Sequence, residues 1–387
     1  MRIAFLVRAY PTVSETFIRD QIEGLRARGL SVDVYSLYKG SPPAPHAVEE
    51  RAAHYLIGEE LPLPAAILRA GLRSAQGLMH PGALLRLVPI ARRHPRIAAE
   101  ALHAVQGLAS ATAGEPYDVV HAHYGPTGML GLALRRAGLL TGPLVTTFHG
   151  IDLARYPLQH GRDCYRWLFE NAAALTVNSQ FAEARALALG APPHLLHRLP
   201  MGVNLESIPF QPPSRPTSGP FRLLSVGRLE EVKGISFGLR AVRVLMDRGV
   251  DVRYTVVGDG RLSQALRAEA AELGIDSVVH FTGPRPLTGV IEEMRRSHLF
   301  VMPGVETSDK QAETPGRVLV EAQAVGLPIV ASRVGGIPET LGAGAGELVE
   351  PRDVTGLADA MDRMLGSTAE WEVMGRCGRR HVERTFD

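Results

Sequence analysis

Short apolar runs alternate with amphipathic helical patterns along most of this chain. RIAFLV reads as a first strand, a helix follows from Glu15 to Arg28, and SVDVYSL is the next strand. YDVVHAHY, PLVTTFH and ALTVNS are further strands with helices between them. Strands alternating with helices imply a parallel α/β sheet. Near Ser207 the texture changes to SIPFQPPSRPTSGPFR, rich in Pro and Ser and without periodicity, which reads as a linker over 207–221. A second series follows: RLLSVG, a helix to Gly249, VRYTVVG, a helix to Gly274, VVHFTG, LFVMPG and PIVAS. The expectation is α/β architecture with two Rossmann-like domains, 1–206 and 222–387. They would face each other across a deep cleft at the carboxyl ends of both sheets.

One segment breaks this pattern. Residues 61–110 read as amphipathic helices rich in Leu and Ala, with six arginines (69, 73, 86, 92, 93 and 96) against Glu100. Two readings stand side by side: a helical insert with a solvated face, or a dock for an anionic membrane or lipid-linked acceptor.

Composition narrows the classes. With 387 residues, 45% hydrophobic and 21% charged, the chain is an ordinary globular one, long enough for two domains. A formal net charge of +2 gives no reason to expect nucleic acid as a partner. Cys164 and Cys377 are the only cysteines, so neither a disulfide framework nor a cysteine-rich metal site is expected. No apolar run approaches the length of a membrane span, and the first run is too short for a signal peptide. A cytoplasmic protein is expected, with peripheral contact at the inner face of the membrane through 61–110 under the second reading of that segment.

The densest chemistry lies in ETPGRVLVE, which sets Glu313 and Glu321 eight residues apart around a helix start. Thr314 is a suitable N-cap and Pro315 a suitable first helical residue. On that reading the N–H groups of Gly316 and Arg317 lack intrahelical acceptors and form an anion site suited to phosphate. Glu321 then lies about two turns along the helix. Arg228 and Lys233 follow the strand RLLSVG, at an edge where two cations can clamp a diphosphate. Gly258 and Gly260 form a tight strand-to-helix turn, weakly similar to a dinucleotide fingerprint. Ser263 replaces its third glycine, and the next strand lacks the acid that a ribose of NAD would need.

In the first half, His149 ends an apolar strand and is followed by Gly150 and by Asp152, an acid expected at the acceptor cleft. His149 is suited to a sugar hydroxyl, or to supporting positive charge at a reacting carbon. His121 and His123 share one face of their strand; without a third ligand, a structural or acceptor-cleft role is expected in place of a metal. Ser14 or Thr16 is expected to cap the first helix and face the cleft.

Together these residues resemble the retaining glycosyltransferases of family 4, which have the GT-B fold. Glu313 and Glu321 match the family's paired glutamates, Arg228 and Lys233 its basic pair, and His149 its N-domain histidine. YPTVSETFIRDQIEGLRARG and LVEAQAVGLPIVASRVGGIPE are similar to the colanic-acid-type exopolysaccharide subgroup. The chain departs from the family at Arg8-Ala-Tyr-Pro, where many members have a glycine-rich loop, and at Thr314, where glycine is usual. Members usually carry a helix crossing back to the N-domain; the expectation is that this chain lacks that helix or is truncated at Asp387.

The resemblance implies transfer of a sugar from a nucleoside diphosphate sugar, UDP-linked by default, to a hydroxyl of a saccharide, lipid-linked saccharide or small-molecule acceptor. It implies retention of configuration, with Glu321 on the ribose, Glu313 on the donor sugar and His149 at the reacting centre. The fixed cations take the place of a metal on the diphosphate, so metal-independent turnover without a cofactor is expected. Three other readings stay open: a nucleotide-sugar epimerase or hydrolase, a non-catalytic sugar-nucleotide binding protein, and an NAD oxidoreductase, which Ser263 disfavours.

Overall fold

The computed structural model describes residues 1–12, 15–40, 53–57, 82–108 and 116–387. These form two compact α/β units. The first comprises 1–178 and 182–199, the second 179–181 and 200–387. The segment 207–221 falls within the second unit, where Gln211 N–H donates to Val325 O at 2.7 Å.

The first unit holds a seven-stranded sheet. In chain order its strands are β1 (Arg2–Tyr10), β2 (Ser31–Lys39), β3 (His54–Tyr55), β4 (Val119–His123), β5 (Leu144–Phe148), β6 (Ala174–Val177) and β7 (Leu196–Arg198). Their spatial order is β3-β2-β1-β4-β5-β6-β7, with every pairing parallel. Alternation along β1 explains its unbroken apolar run. Ala4 and Leu6 enter one core, while Ile3, Phe5 and Val7 enter another on the opposite face. Within 61–110, helices span Gly82–Arg93 and Pro95–Leu108, and Leu87, Ile90, Ile97 and Ala101 bury into the larger core. Residues 61–81 and 109–110 lie outside the described residues.

The second unit holds six parallel strands: β8 (Phe221–Val226), β9 (Val252–Val257), β10 (Val279–Gly283), β11 (Leu299–Met302), β12 (Ile329–Ser332) and β13 (Gly346–Val349). Their order is β10-β9-β8-β11-β12-β13. Leu223, Leu299 and Val301 face one core; Leu224, Phe300 and Met302 face the other. The strand order reverses direction between β8 and β11. In open α/β sheets such a switch point leaves a crevice outside the carboxyl ends, where ligands bind. Among the described residues no helix is long and apolar enough to cross a membrane.

Candidate functional site

The β8/β11 switch point gathers the charged residues of the second unit. Beyond β8 come Gly227 and Arg228, and a 3-10 turn, Glu231–Lys233, returns Lys233 over them. A Cβ at Gly227 would meet Lys233 Cε at 3.0 Å, so the lysine stem lies across the glycine. Beyond β11, residues 303–316 lead into the helix Arg317–Val325. Lys233 Nζ donates to Glu313 Oε1 at 2.8 Å, with the two side chains only 14% and 16% exposed. Arg317 Nε donates to Glu321 Oε1 at 3.0 Å, one turn along the same helix. Glu321 is buried, whereas Arg228 is exposed and makes no ion pair among the described residues. Two ion pairs and the exposed Arg228 thus stand at the carboxyl ends of neighbouring strands of one sheet.

The helix start differs from the expectation. Its N-cap is Gly316, at φ 60° and ψ 67°, and helical residues begin at Arg317. Thr314 is not the cap and Pro315 is not the first helical residue. The reason is packing. Gly336 N–H donates to Glu313 O at 2.8 Å, and a Cβ on Gly336 would stand 1.4 Å from Thr314 O. Glycine at 336 thus lets its backbone lie against residues 313–314 and keep them out of the helix. The chain then turns into the helix at Gly316, where glycine tolerates left-handed φ. A Cβ there would stand 3.6 Å from Glu313 Oε2, so the second carboxylate oxygen lies beside the positive end of the helix dipole. Glu306, the other acid near this loop, instead pairs with Lys310 at 3.0 Å.

Gly258 and Gly260 support the loop that carries Arg228. A Cβ on Gly258 would stand 1.9 Å from Gly227 O, and one on Gly260 2.6 Å from Leu229 O. Leu229 N–H donates to Asp259 O at 2.9 Å, which locks the two loops backbone to backbone.

In the first unit the histidines form a stack. Parallel register sets His123 opposite Thr147, and His149 follows the end of β5. His123 Nδ1 lies 3.0 Å from His149 Nε2, with ring planes 14° apart. His121 Nε2 lies 2.7 Å from Thr147 Oγ1. Burial holds all three rings neutral, with His121 pushed down to about 4, His149 to about 3, and His123 well below its usual value. His123 is 1% exposed, so it lies under His149 and does not face an acceptor as expected. His149 keeps partial exposure, with Phe17 and Tyr124 against its ring at 4.7 and 4.6 Å.

Asp152 is also no acceptor contact. It is buried, and its two carboxylate oxygens accept from Gly125 N–H and His149 N–H, each at 2.9 Å. Burial raises its pKa to about 6 in spite of those bonds. Its work is to tie the end of β5 to the start of the helix Gly125–Arg136. Thr16 is the first residue of its helix, and the cap position belongs to Glu15; Ser14 lies outside the described residues.

Three features escaped the sequence reading. Arg317 contributes a side chain as well as an N–H, and its i,i+4 spacing to Glu321 was a visible signal. Tyr124 adopts φ 73°, rare for an aromatic residue, while its hydroxyl donates to Glu15 Oε1 at 2.8 Å. The pairing of Lys233 with Glu313 joins residues 80 apart in sequence, which no local pattern marks.

Comparison with known proteins shows the family of the chain. The family described as glycosyl transferases group 1 matches residues 208–381, and the glycosyl transferase 4-like domain matches 14–202. A Salmonella typhimurium protein named for colanic acid biosynthesis glycosyltransferase activity is 30% identical, covering 92% of this chain and 89% of its own. The solved sucrose-phosphate synthase of Thermosynechococcus elongatus superposes with a TM-score of 0.74 at 21% identity, covering 100% of this chain and 95% of its own. The Anabaena protein HepE, solved with UDP-glucose, gives 0.70 at 19% identity, covering 100% and 96%. With a parallel α/β sheet in each half and relatives matched over nearly their whole length, this chain belongs to the family 4 glycosyltransferases of GT-B fold.

Proposed function

We propose that this chain moves a hexosyl group from a nucleoside diphosphate sugar, with UDP as the nucleotide, to a hydroxyl of a growing saccharide or lipid-linked saccharide. Configuration is retained and no metal is required. The observation that carries the donor half is the Lys233–Glu313 pair at the β8/β11 switch point, beside Arg228 and the start of the Arg317–Val325 helix. Lysine has three donors, so Lys233 can hold Glu313 and a phosphate oxygen together. Arg228, which makes no ion pair among the described residues, takes the diphosphate as charge builds on it during departure. Removing one preorganised group of this kind lowers rates on the order of 10²–10³. Glu321, steadied by Arg317, accepts from the ribose hydroxyls, and Glu313 accepts from a hydroxyl of the sugar. The leaving diphosphate takes the acceptor proton on the same face. His149, neutral through its burial, supports the sugar without repelling a developing cation. The UDP-glucose bound to HepE supports uracil as the base.

The described part of 61–110 supports a peripheral role at the inner face of the membrane. Leu85 and Val88 are exposed at 75% and 49% on a helix that ends in Arg92 and Arg93. Sedimentation with anionic liposomes, absent for neutral ones, is the expected result; equal recovery with both refutes it.

The donor reading is tested by thermal shift with UDP-, GDP-, ADP- and dTDP-sugars under EDTA, followed by mass spectrometry of acceptor products. A ligand at about 100 times its Kd adds roughly 2.7 kcal/mol of stability. UDP-sugars should stabilise most and yield acceptor-dependent product. Stabilisation by none, or free sugar as the sole product, overturns the proposal.

A further inference from the structure

The first unit has a switch point of its own. Its strand order reverses between β1 and β4, and the crevice outside the carboxyl ends of such a pair is where ligands bind in open α/β sheets. Residues from the two strand ends meet there. Glu15 follows β1 at the N-cap position of the helix Thr16–Ala27, yet its carboxylate makes no capping bond to that helix. It reaches toward β4, where Oε1 accepts from the Tyr124 hydroxyl at 2.8 Å, and Oε2 lies 3.4 Å from Thr12 Oγ1. Tyr124 stands just past β4 at φ 73° and ψ 140°, backbone angles that are an outlier for a bulky side chain. Bonds on both sides hold it there. Its N–H donates to Thr147 O at 2.8 Å, and the N–H of the next residue, Gly125, donates to Asp152 Oδ2 at 2.9 Å. The pinned backbone lays the Tyr124 ring against His149, 4.6 Å between centroids, with its hydroxyl on Glu15. Phe17, two residues after Glu15, meets the same histidine at 4.7 Å. Glu15, Tyr124 and His149 are each partly exposed, so the cluster is open to solvent.

We propose that Glu15 is the carboxylate that recognises the acceptor, and that Tyr124 is the positioning residue that aims it. An ionised carboxylate only accepts hydrogen bonds, so its ligand is a donor: a neutral saccharide hydroxyl lodged at the β1/β4 crevice beside His149. The bond from Tyr124 fixes the direction of the carboxylate and leaves lone pairs on both oxygens for that hydroxyl. The charge disfavours a phosphate or carboxylate group of an acceptor in the same place. Tyrosine suits position 124 because its ring braces His149 while its hydroxyl donates to Glu15. That the bound hydroxyl belongs to the acceptor rests on the transferase reading above; the crevice and its preference for a hydroxyl do not.

Two variants of the full chain separate recognition from support. Glu15→Gln keeps an oxygen for the Tyr124 hydroxyl and removes the charge; Tyr124→Phe keeps the ring against His149 and removes the hydroxyl. Transfer from a UDP-sugar to the methyl glycosides of glucose, galactose and mannose reads the acceptor KM. Glu15→Gln should raise it about tenfold, the difference between a charged and a neutral hydrogen-bond acceptor, with UDP affinity kept within about twofold. Tyr124→Phe should raise it about threefold, and by less in the Glu15→Gln background, because it acts through that carboxylate. An acceptor KM unchanged in folded Glu15→Gln overturns the proposal, and a lower unfolding midpoint alongside it marks the pair as a tie between β4 and the first helix only. Should Glu15→Gln fail to fold, an unchanged acceptor KM in Tyr124→Phe overturns it equally. If the unaltered chain releases free sugar and glycosylates none of the glycosides, the transferase reading falls, and saturation-transfer NMR of the same glycosides decides the crevice. Contact seen in the unaltered chain and lost in Glu15→Gln supports it; contact absent from the unaltered chain, or equal in both, overturns it.

Discussion

Replacing Lys233 by Met should weaken UDP binding, and adding Glu313→Gln should restore part of the loss. The sign follows from the ion pair. Lys233 Nζ and Glu313 Oε1 are 2.8 Å apart on side chains only 14% and 16% exposed. Without the lysine, Glu313 keeps its charge beside the incoming diphosphate. Two like charges roughly 6 Å apart interact by about 3 kcal/mol at an effective dielectric of 20. Screening by the open side of the site and by Arg228 reduces this to about 1.4 kcal/mol, or tenfold in affinity. Lys233→Met should therefore bind UDP on the order of 10²-fold more weakly, from the lost charge-assisted bond and the exposed carboxylate together. The double variant should recover about tenfold of that. Glu313→Gln alone should leave UDP within about threefold, since the freed lysine still faces the phosphate, while sugar transfer falls on the order of 10²-fold. Calorimetric titration of UDP into the four proteins reads the cycle. Independent sites add within about 0.3–0.5 kcal/mol. Strict additivity, or a double variant weaker than Lys233→Met, would refute the coupling.

Three further outcomes follow from named contacts. In the unaltered chain, 2′-deoxy-UDP should bind roughly 10- to 100-fold more weakly than UDP, because a hydroxyl-to-carboxylate bond contributes about 1.5–3 kcal/mol. Glu321→Ala should erase most of that preference and Arg317→Leu part of it; a preference that survives Glu321→Ala excludes the ribose role. Asp152→Asn should cost about 1–3 kcal/mol of stability, since Gly125 and His149 N–H donate to different carboxylate oxygens and the amide replaces one of them by a donor. An unfolding midpoint unchanged in urea would contradict it. Among the described residues, every histidine with a displaced pKa is displaced downward: His94, His121, His123, His149, His298 and His381. Below pH 6.5 the unfolded chain thus binds protons that the folded chain does not, and stability should fall from pH 6.5 to about 4. Asp152, raised to about 6, works in the opposite sense between 3.8 and 6, but it is one group against six. A melting temperature at pH 5 equal to that at pH 7 would speak against this balance.

Much of the fold was legible because its signals are local. The apolar run RIAFLV and the strand–helix alternation required only periodicity. Short strands such as β3, β7 and β13 left no such mark and take their structure from neighbours in the sheet. The site was legible in its residue types and less so in its pairings. Thr314 and Pro315 are good helix-start residues, yet the backbone of Gly336 against residues 313–314 outweighs that local preference. The alternation of His121 and His123 was read correctly as one face. Which ring stays exposed depends on Phe5, Phe17 and His149, brought in from three other places in the chain. Asp152 looked like a ligand-facing acid because a sequence cannot show two backbone N–H groups converging on one carboxylate.

The central claim is that a nucleoside diphosphate sits at the β8/β11 edge of the second unit. Hydrogen–deuterium exchange of the full chain, with and without saturating UDP, locates it directly. The account predicts slowed exchange in residues 227–235 and 313–321. Unchanged exchange in both segments, with protection confined to residues 1–178, would contradict it.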